Sequence, residues 1–184
     1  MPVCTKRPMN LEPIYKRFPK VPIQRRVAAF GIDFVVVWLF SSFVAGIIAQ
    51  MLVFMTLWLG LRVVLVSSNH GQSLGRWALD MKVLDAKYSR IPELLTLTKR
   101  EAILGFCAFL ATLGLGSGLA GGGFYLLLLP IPLAVDCGAA FTDAEAQQAL
   151  HDRIAQTVVI QTRRGFSLDL RLKRLVAQIS GRMK

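Results

Sequence analysis

Three ionisable side chains lie within or at the foot of long apolar stretches: Asp33 and Arg62 in the stretch 27–66, and Asp136 just beyond the stretch 102–135. A charge at the centre of a bilayer costs about 2.5–3.5 kcal/mol on insertion scales, so such groups turn inward and find partners. A buried carboxylate beside a guanidinium can fix helix register, and a carboxyl whose proton affinity is raised by burial can bind a proton or cation. The expectation is a cytoplasm-facing polar cluster in which Asp33 pairs with Arg62. Asp136 is then either its second carboxylate or the group that binds a cation or proton. A purely structural pair, or an Arg62 that snorkels to the interface, is the competing reading. Arg26 lies two turns before Asp33 on the same helical face, at headgroup level, so direct contact between them is not expected.

Little else in the chain has the make-up of a reaction centre. His70 and His151 fall in separate polar segments, no nucleophile stands in a recognised setting, and His151 beside Asp152 has the character of a turn or cap, so no enzyme is expected. Cys4, Cys107 and Cys137 have neither metal-ligand spacing nor a disulfide framework, and no metal or cofactor is expected. The run from Gly116 through Gly118 to Gly121 formally matches a dinucleotide-binding glycine pattern, but no predicted strand precedes it and no suitably placed acid follows. Glycines four apart, such as Gly114 and Gly118, serve instead for a tight turn or a close helix contact in lipid.

The elements that must position the three charged residues follow from composition. Hydrophobic residues make up 54% of the 184 and charged residues 18%, with a mean hydropathy of +0.50, outside the range of ordinary soluble domains. Each apolar stretch exceeds the ~20 residues that one crossing needs. Of the 22 Lys and Arg residues, seven precede the first stretch, six lie between the two, eight follow the second, and only Arg62 is inside. Two crossings per stretch keep all three basic segments on the cytoplasmic side, as the positive-inside rule favours. The formal charge of +11 is thereby explained by topology, without nucleic acid.

The fold class expected is an all-α membrane protein, a bundle of four transmembrane helices near 27–45, 49–66, 102–119 and 122–140, with three as the alternative. Charge-free outer turns fall near Gly46 and in 114–123. Residues 1–26 form a basic cytoplasmic segment without the apolar core of a secretory signal, 27–161 the membrane domain and 162–184 a basic tail. In that tail Leu168, Leu172, Leu175, Val176 and Ile179 recur at helical spacing among Arg171, Lys173, Arg174 and Arg182, predicting an amphipathic helix for an anionic lipid surface or a protein surface.

Between the stretches, Asn69 to Arg76 opens with turn chemistry and leads into a short helix ending near Asp80, after which residues 82–85 are extended. Leu150-His151-Asp152-Arg153 leads similarly into the β-branched run 157–162, so a small two-stranded pairing is expected. Arg25-Arg26 and Lys99-Arg100 precede the two hairpins, 74 positions separate Arg26 from Arg100, and 77 separate Arg76 from Arg153. These spacings suggest a parallel internal repeat.

These motifs resemble those of the RDD family of small bacterial membrane proteins, named for an arginine and two aspartates. Residues 26–33, with Arg26, Ala28, Ala29 and Ile32-Asp33, resemble its first-helix pattern. Residues 71–76, with Gly71, Gly75 and Arg76, together with 82–85, are similar to its second motif. Arg100 resembles the arginine opening its next helix, and 150–159, with His151, Asp152 and Arg153, its closing motif. The resemblance spans roughly 21–161. It implies that Arg26 is the family's arginine, Asp33 one aspartate, and Asp152 or Asp136 the other. It also implies three membrane helices and a bacterial inner or internal membrane, with both termini cytoplasmic by the charge count.

Two functions of different class follow. The resemblance and the buried cluster point to transport of an ion or small solute, with Asp33 and Asp136 titrating and Arg62 modulating them. The alternative is a non-catalytic accessory or assembly subunit of a larger membrane complex. Expected partners are the bilayer, its anionic headgroups, and either further copies of the chain or other subunits.

Overall fold

The computed structural model describes residues 21–88, 90–119, 123–142, 148–162 and 178. Residues 1–20, Cys4 among them, and the tail from 163 onward apart from Gln178 lie outside the described residues, and with them the expected amphipathic tail helix.

Helix α1 (Ile23–Ser41) starts behind Pro22, whose fixed φ and carbonyl, accepting from Arg25 N and Arg26 N, set its first turn. It buries Ala29, Asp33, Val37 and Ser41, a stripe at every fourth position, and ends where Ser41 and Ser42 return their hydroxyls to the Trp38 carbonyl. Gly46, at φ +90°, makes the expected turn. Helix α2 (Ile47–Ser68) follows, and among the described residues it is the one helix long and apolar enough to cross a membrane. Residues Gly60–Val64 within it form a π turn with Arg62 at its centre, a local widening of the kind that often marks functional sites.

The polar link then makes α3 (Leu74–Ala78), capped by Ser73, and strand β1 (Met81–Asp85). Gly71 has φ +86°, and a Cβ there would lie 2.7 Å from the Val83 carbonyl oxygen, so this position needs glycine twice over. Helix α4 (Leu94–Leu119), a 3₁₀ turn (Phe124–Leu128) and α5 (Ile131–Thr142) make the second hairpin. Next come α6 (Leu150–Ile154) and β2 (Thr157–Gln161), which pairs antiparallel with β1 about the pair Val83 and Val159. The mostly helical class and the two-stranded pairing therefore agree with expectation.

Two boundaries do not. Helix α4 begins eight residues earlier than the hydrophobic run, because Arg100 and Glu101 find buried partners and need not mark an interface. It also runs through Gly114, where a Cβ would lie 2.6 Å from the Leu126 carbonyl oxygen. Gly114 is thus a close-contact glycine, not part of the turn. The fourth apolar element is divided, its 3₁₀ turn preceding the twelve residues of α5. A set of four full spans is not what the described helices give.

The core lies between α1, α2 and α4, where Val37, Phe54, Trp58, Leu104 and Phe109 are buried together. Trp58 lies against Gly105, where any Cβ would collide with its ring, and donates its indole N–H to the Glu101 carbonyl at 3.1 Å. This contact places α2 and α4 so that Arg62, one turn after Trp58, reaches the Glu101 side chain.

Candidate functional site

A continuous chain of buried charged side chains joins α1 to α5 at the sheet end of the bundle. Asp33 accepts from Gly75 N at 2.7 Å, from the Ser73 hydroxyl at 2.6 Å and from Arg62 Nη1 at 3.0 Å, so both its oxygens are engaged. Arg62 also donates from Nε to Glu101 Oε2 at 2.7 Å, and its guanidinium stands 4.9 Å from the Trp58 ring centroid. Glu101, fully buried, additionally receives Arg76 Nη2 at 3.2 Å and lies 3.3 Å from Arg100 Nη1. One carboxylate thus neutralises parts of three guanidinium groups.

Arg100 Nη2 continues the chain to Asp152 Oδ1 at 2.5 Å. His151 stands beyond, its Nε2 3.4 Å from the same oxygen and its Nδ1 2.5 Å from Asp136 Oδ2, while its backbone N–H donates to Asp136 Oδ1 at 2.8 Å. Burial alone would raise the Asp152 carboxyl, but Arg100, with His151 and Arg26 behind it, holds it below the ordinary carboxylate value. Burial, and then the neighbouring Arg62 and Arg100, pull the Arg76 guanidinium down to about 9, which leaves it a cation at neutral pH.

A cavity of about 400 Å³ borders this chain. Arg26, Arg62, Arg76, Arg100, His151 and Asp152 face it from the sheet end, and the remainder of its wall, among the described residues, is apolar apart from the Cys137 thiol. Residues 20–156 match the RDD family. This chain belongs to it. No curated protein and no solved structure matches the chain.

RDD membership makes this a protein of membranes, in agreement with the apolar α2. The RDD motif residues named from sequence converge. Asp33, Arg100, His151 and Asp152 all lie in the buried chain, and Gly75 presses α3 onto α1, where a Cβ would run into the Ala29 carbonyl oxygen. Arg26 reaches the Val159 carbonyl at 3.0 Å, away from Asp33 as expected. Arg153 is the outlier, an exposed residue whose Nη2 lies 3.4 Å from the Ala139 carbonyl.

The expected Asp33–Arg62 pair is present. Asp136 is not a second ligand of Arg62: it is held by His151 and, among the described residues, joins the cluster through His151, Asp152 and Arg100. The sequence reading missed Glu101 as the junction and Arg76 as a member. A hydrophobic window ending at Ala102 assigns Glu101 to the interface, although it is the lone acid between Glu93 and Asp136 and therefore the available counter-ion for the arginines around it.

Proposed function

We propose that this RDD protein is a multi-pass protein of a bacterial inner or internal membrane, with both termini cytoplasmic. In this reading α1, α2, α4 and the divided fourth element surround a chamber through which an ion or small solute passes. The observation that carries it is the cavity: it has an apolar wall along the helices and a charged floor at the sheet. Asp33 is fully occupied by Arg62, Ser73 and Gly75, which suits a strut. Asp136 and His151 suit the moving part, since Asp136 is held by His151 through the ring Nδ1 at 2.5 Å and the backbone N–H at 2.8 Å and not by a guanidinium strut.

The test is the full chain reconstituted in vesicles loaded with a pH-sensitive dye, under an imposed pH gradient and with sodium, potassium or inorganic phosphate outside. Wild type should dissipate the gradient faster than protein-free vesicles with at least one of these, and Asp136→Asn should lose that activity while eluting as a folded species. Wild-type vesicles indistinguishable from protein-free ones under all three would remove proton-coupled transport of these ions. Recovery from native membranes within a larger assembly would then establish the accessory-subunit role.

A further inference from the structure

The shape of the cavity restricts what it can hold. On α4 it is lined at Arg100, Leu104, Ala111 and Leu115, one helical stripe that spans about 22 Å at 1.5 Å per residue. The cavity of about 400 Å³ beside that stripe is an elongated space that a hydrocarbon chain can fill. Below its charged end the described wall offers only the weakly polar Cys137 thiol to replace the hydration of a free ion, which makes the shaft a poor place for one.

The charged end is asymmetric. Four guanidinium-bearing side chains, Arg26, Arg62, Arg76 and Arg100, line the cavity, against the single carboxylate of Asp152 and the neighbouring His151. Asp33, Glu101 and Asp136 are not among the described residues of its wall, so the lining itself is richer in cations than in carboxylates. Among the described residues, Arg76 Nη1 and Arg100 Nε are buried without a hydrogen-bond partner. A buried guanidinium N–H left unsatisfied is costly, and an oxyanion is the ligand that satisfies it best. Access is lateral: Val27 and Leu115, at opposite ends of the shaft, are 55% and 46% exposed, so its flank opens where lipid would be.

We propose that the cavity binds a single-chain amphiphile with an oxyanion head, the head on Arg76 and Arg100 and the chain along Leu104, Ala111 and Leu115. The inference rests on the reading of the cavity as a solute chamber. It names the class of solute, one that enters from the bilayer with its tail already in an apolar medium.

The test is equilibrium binding to the full chain in neutral maltoside micelles, followed by native mass spectrometry with oleate, 1-oleoyl-lysophosphatidate and uncharged monooleoylglycerol. One equivalent of oleate or of lysophosphatidate should bind at least about tenfold more tightly than monooleoylglycerol, and the preferred anion tells a carboxylate ligand from a phosphate. Arg76→Gln should remove most of that preference. Because Arg76 belongs to the buried network and its loss can unfold the protein, Ala134→Trp provides a second arm, since Ala134 is exposed and lines the shaft. It should weaken both anions about tenfold with unchanged elution and melting. Equal affinity for the uncharged lipid, or undiminished binding in Ala134→Trp, overturns the proposal. Binding without vesicle flux removes transport alone, and flux without binding removes this inference alone.

Discussion

Residues 73–85 and 149–161 are built alike but carry opposite charges at one corresponding position, Arg76 and Asp152. Each begins with a five-residue helix, α3 or α6, whose second residue gives its backbone N–H to an aspartate of an apolar helix: Gly75 to Asp33 on α1, His151 to Asp136 on α5. The third residue of each reaches the start of α4, but Arg76 meets Glu101 whereas Asp152 meets Arg100. A non-glycine residue at positive φ follows in each, Asp80 at 55° and Gln156 at 50°, and then the strand. The hydrogen bonds flanking the sheet repeat the relation, with Thr162 N donating to Asp80 O and Ala86 N to Gln156 O. The constant offset is 76 positions. Arg76 therefore corresponds to Asp152, one place from the Arg153 suggested by the sequence spacing. The lesson is that two segments of like backbone geometry, paired directly through β1 and β2, can carry opposite charges at one position so that each meets its own counter-ion on adjacent residues of α4.

The largest expected effect falls where the copies meet. Glu101→Gln leaves Arg62, Arg76 and Arg100 buried around a neutral amide. Removing one partner of a buried ion pair costs about 3–5 kcal/mol, so thermal unfolding in detergent should shift down strongly. A shift within the range of a surface mutation would break the view that the two halves are joined there. Next is Gly75→Ala, at the position where the second copy carries a histidine. Here α3 touches the Ala29 backbone directly, and overpacking of this kind costs about 1–3 kcal/mol, measured by the same melt. Tolerance of alanine would mean that the two short helices stand at equal distances from their supports.

How much of this was legible follows from the physics of each part. The Asp33–Arg62 pair was, because two opposite charges at similar depth in lipid have few other partners. The strands and the short helices were, because β-branched runs and turn residues act locally. The route from Asp136 to Arg62 was not, because it depends on α6 folding back beneath α5, a long-range event with no periodic signature. Glu101 and Arg76 were missed for a related reason: a hydrophobic window reads charge as an interface, whereas three guanidinium groups sharing one carboxylate can be drawn well below it. The start of α4 at Leu94 is the same error seen in the backbone.

A third test separates the copies by pH. Asp152 is held below the ordinary carboxylate value, so its contribution is complete above about pH 4 and is lost as pH falls through its folded-state value. Melting temperature should therefore decline on acidification below about pH 4, and Asp152→Asn should flatten that decline while lowering stability at neutral pH. An unchanged acid slope would mean that the Arg100 contact does not favour the ionised form.

The smallest effect concerns the caps. Ser73 accepts from Arg76 N at 3.4 Å and spends its own proton on Asp33, whereas its counterpart Ala149 provides no side-chain cap. Exchanging alanine for serine at a helix N-cap is worth about 0.5–2 kcal/mol in general. Ala149→Ser should fall at the low end, a gain of about 0.5 kcal/mol. The new hydroxyl can accept from the backbone of Asp152, but Asp136, the equivalent of the carboxylate that takes the Ser73 proton, already has His151 on both oxygens. A gain as large as the loss in Ser73→Ala would show that the cap alone, and not its link to the membrane carboxylate, accounts for the difference between the two copies. A loss would show that a buried hydroxyl at position 149 competes with His151 for Asp136, which would make that pair the softer of the two anchors.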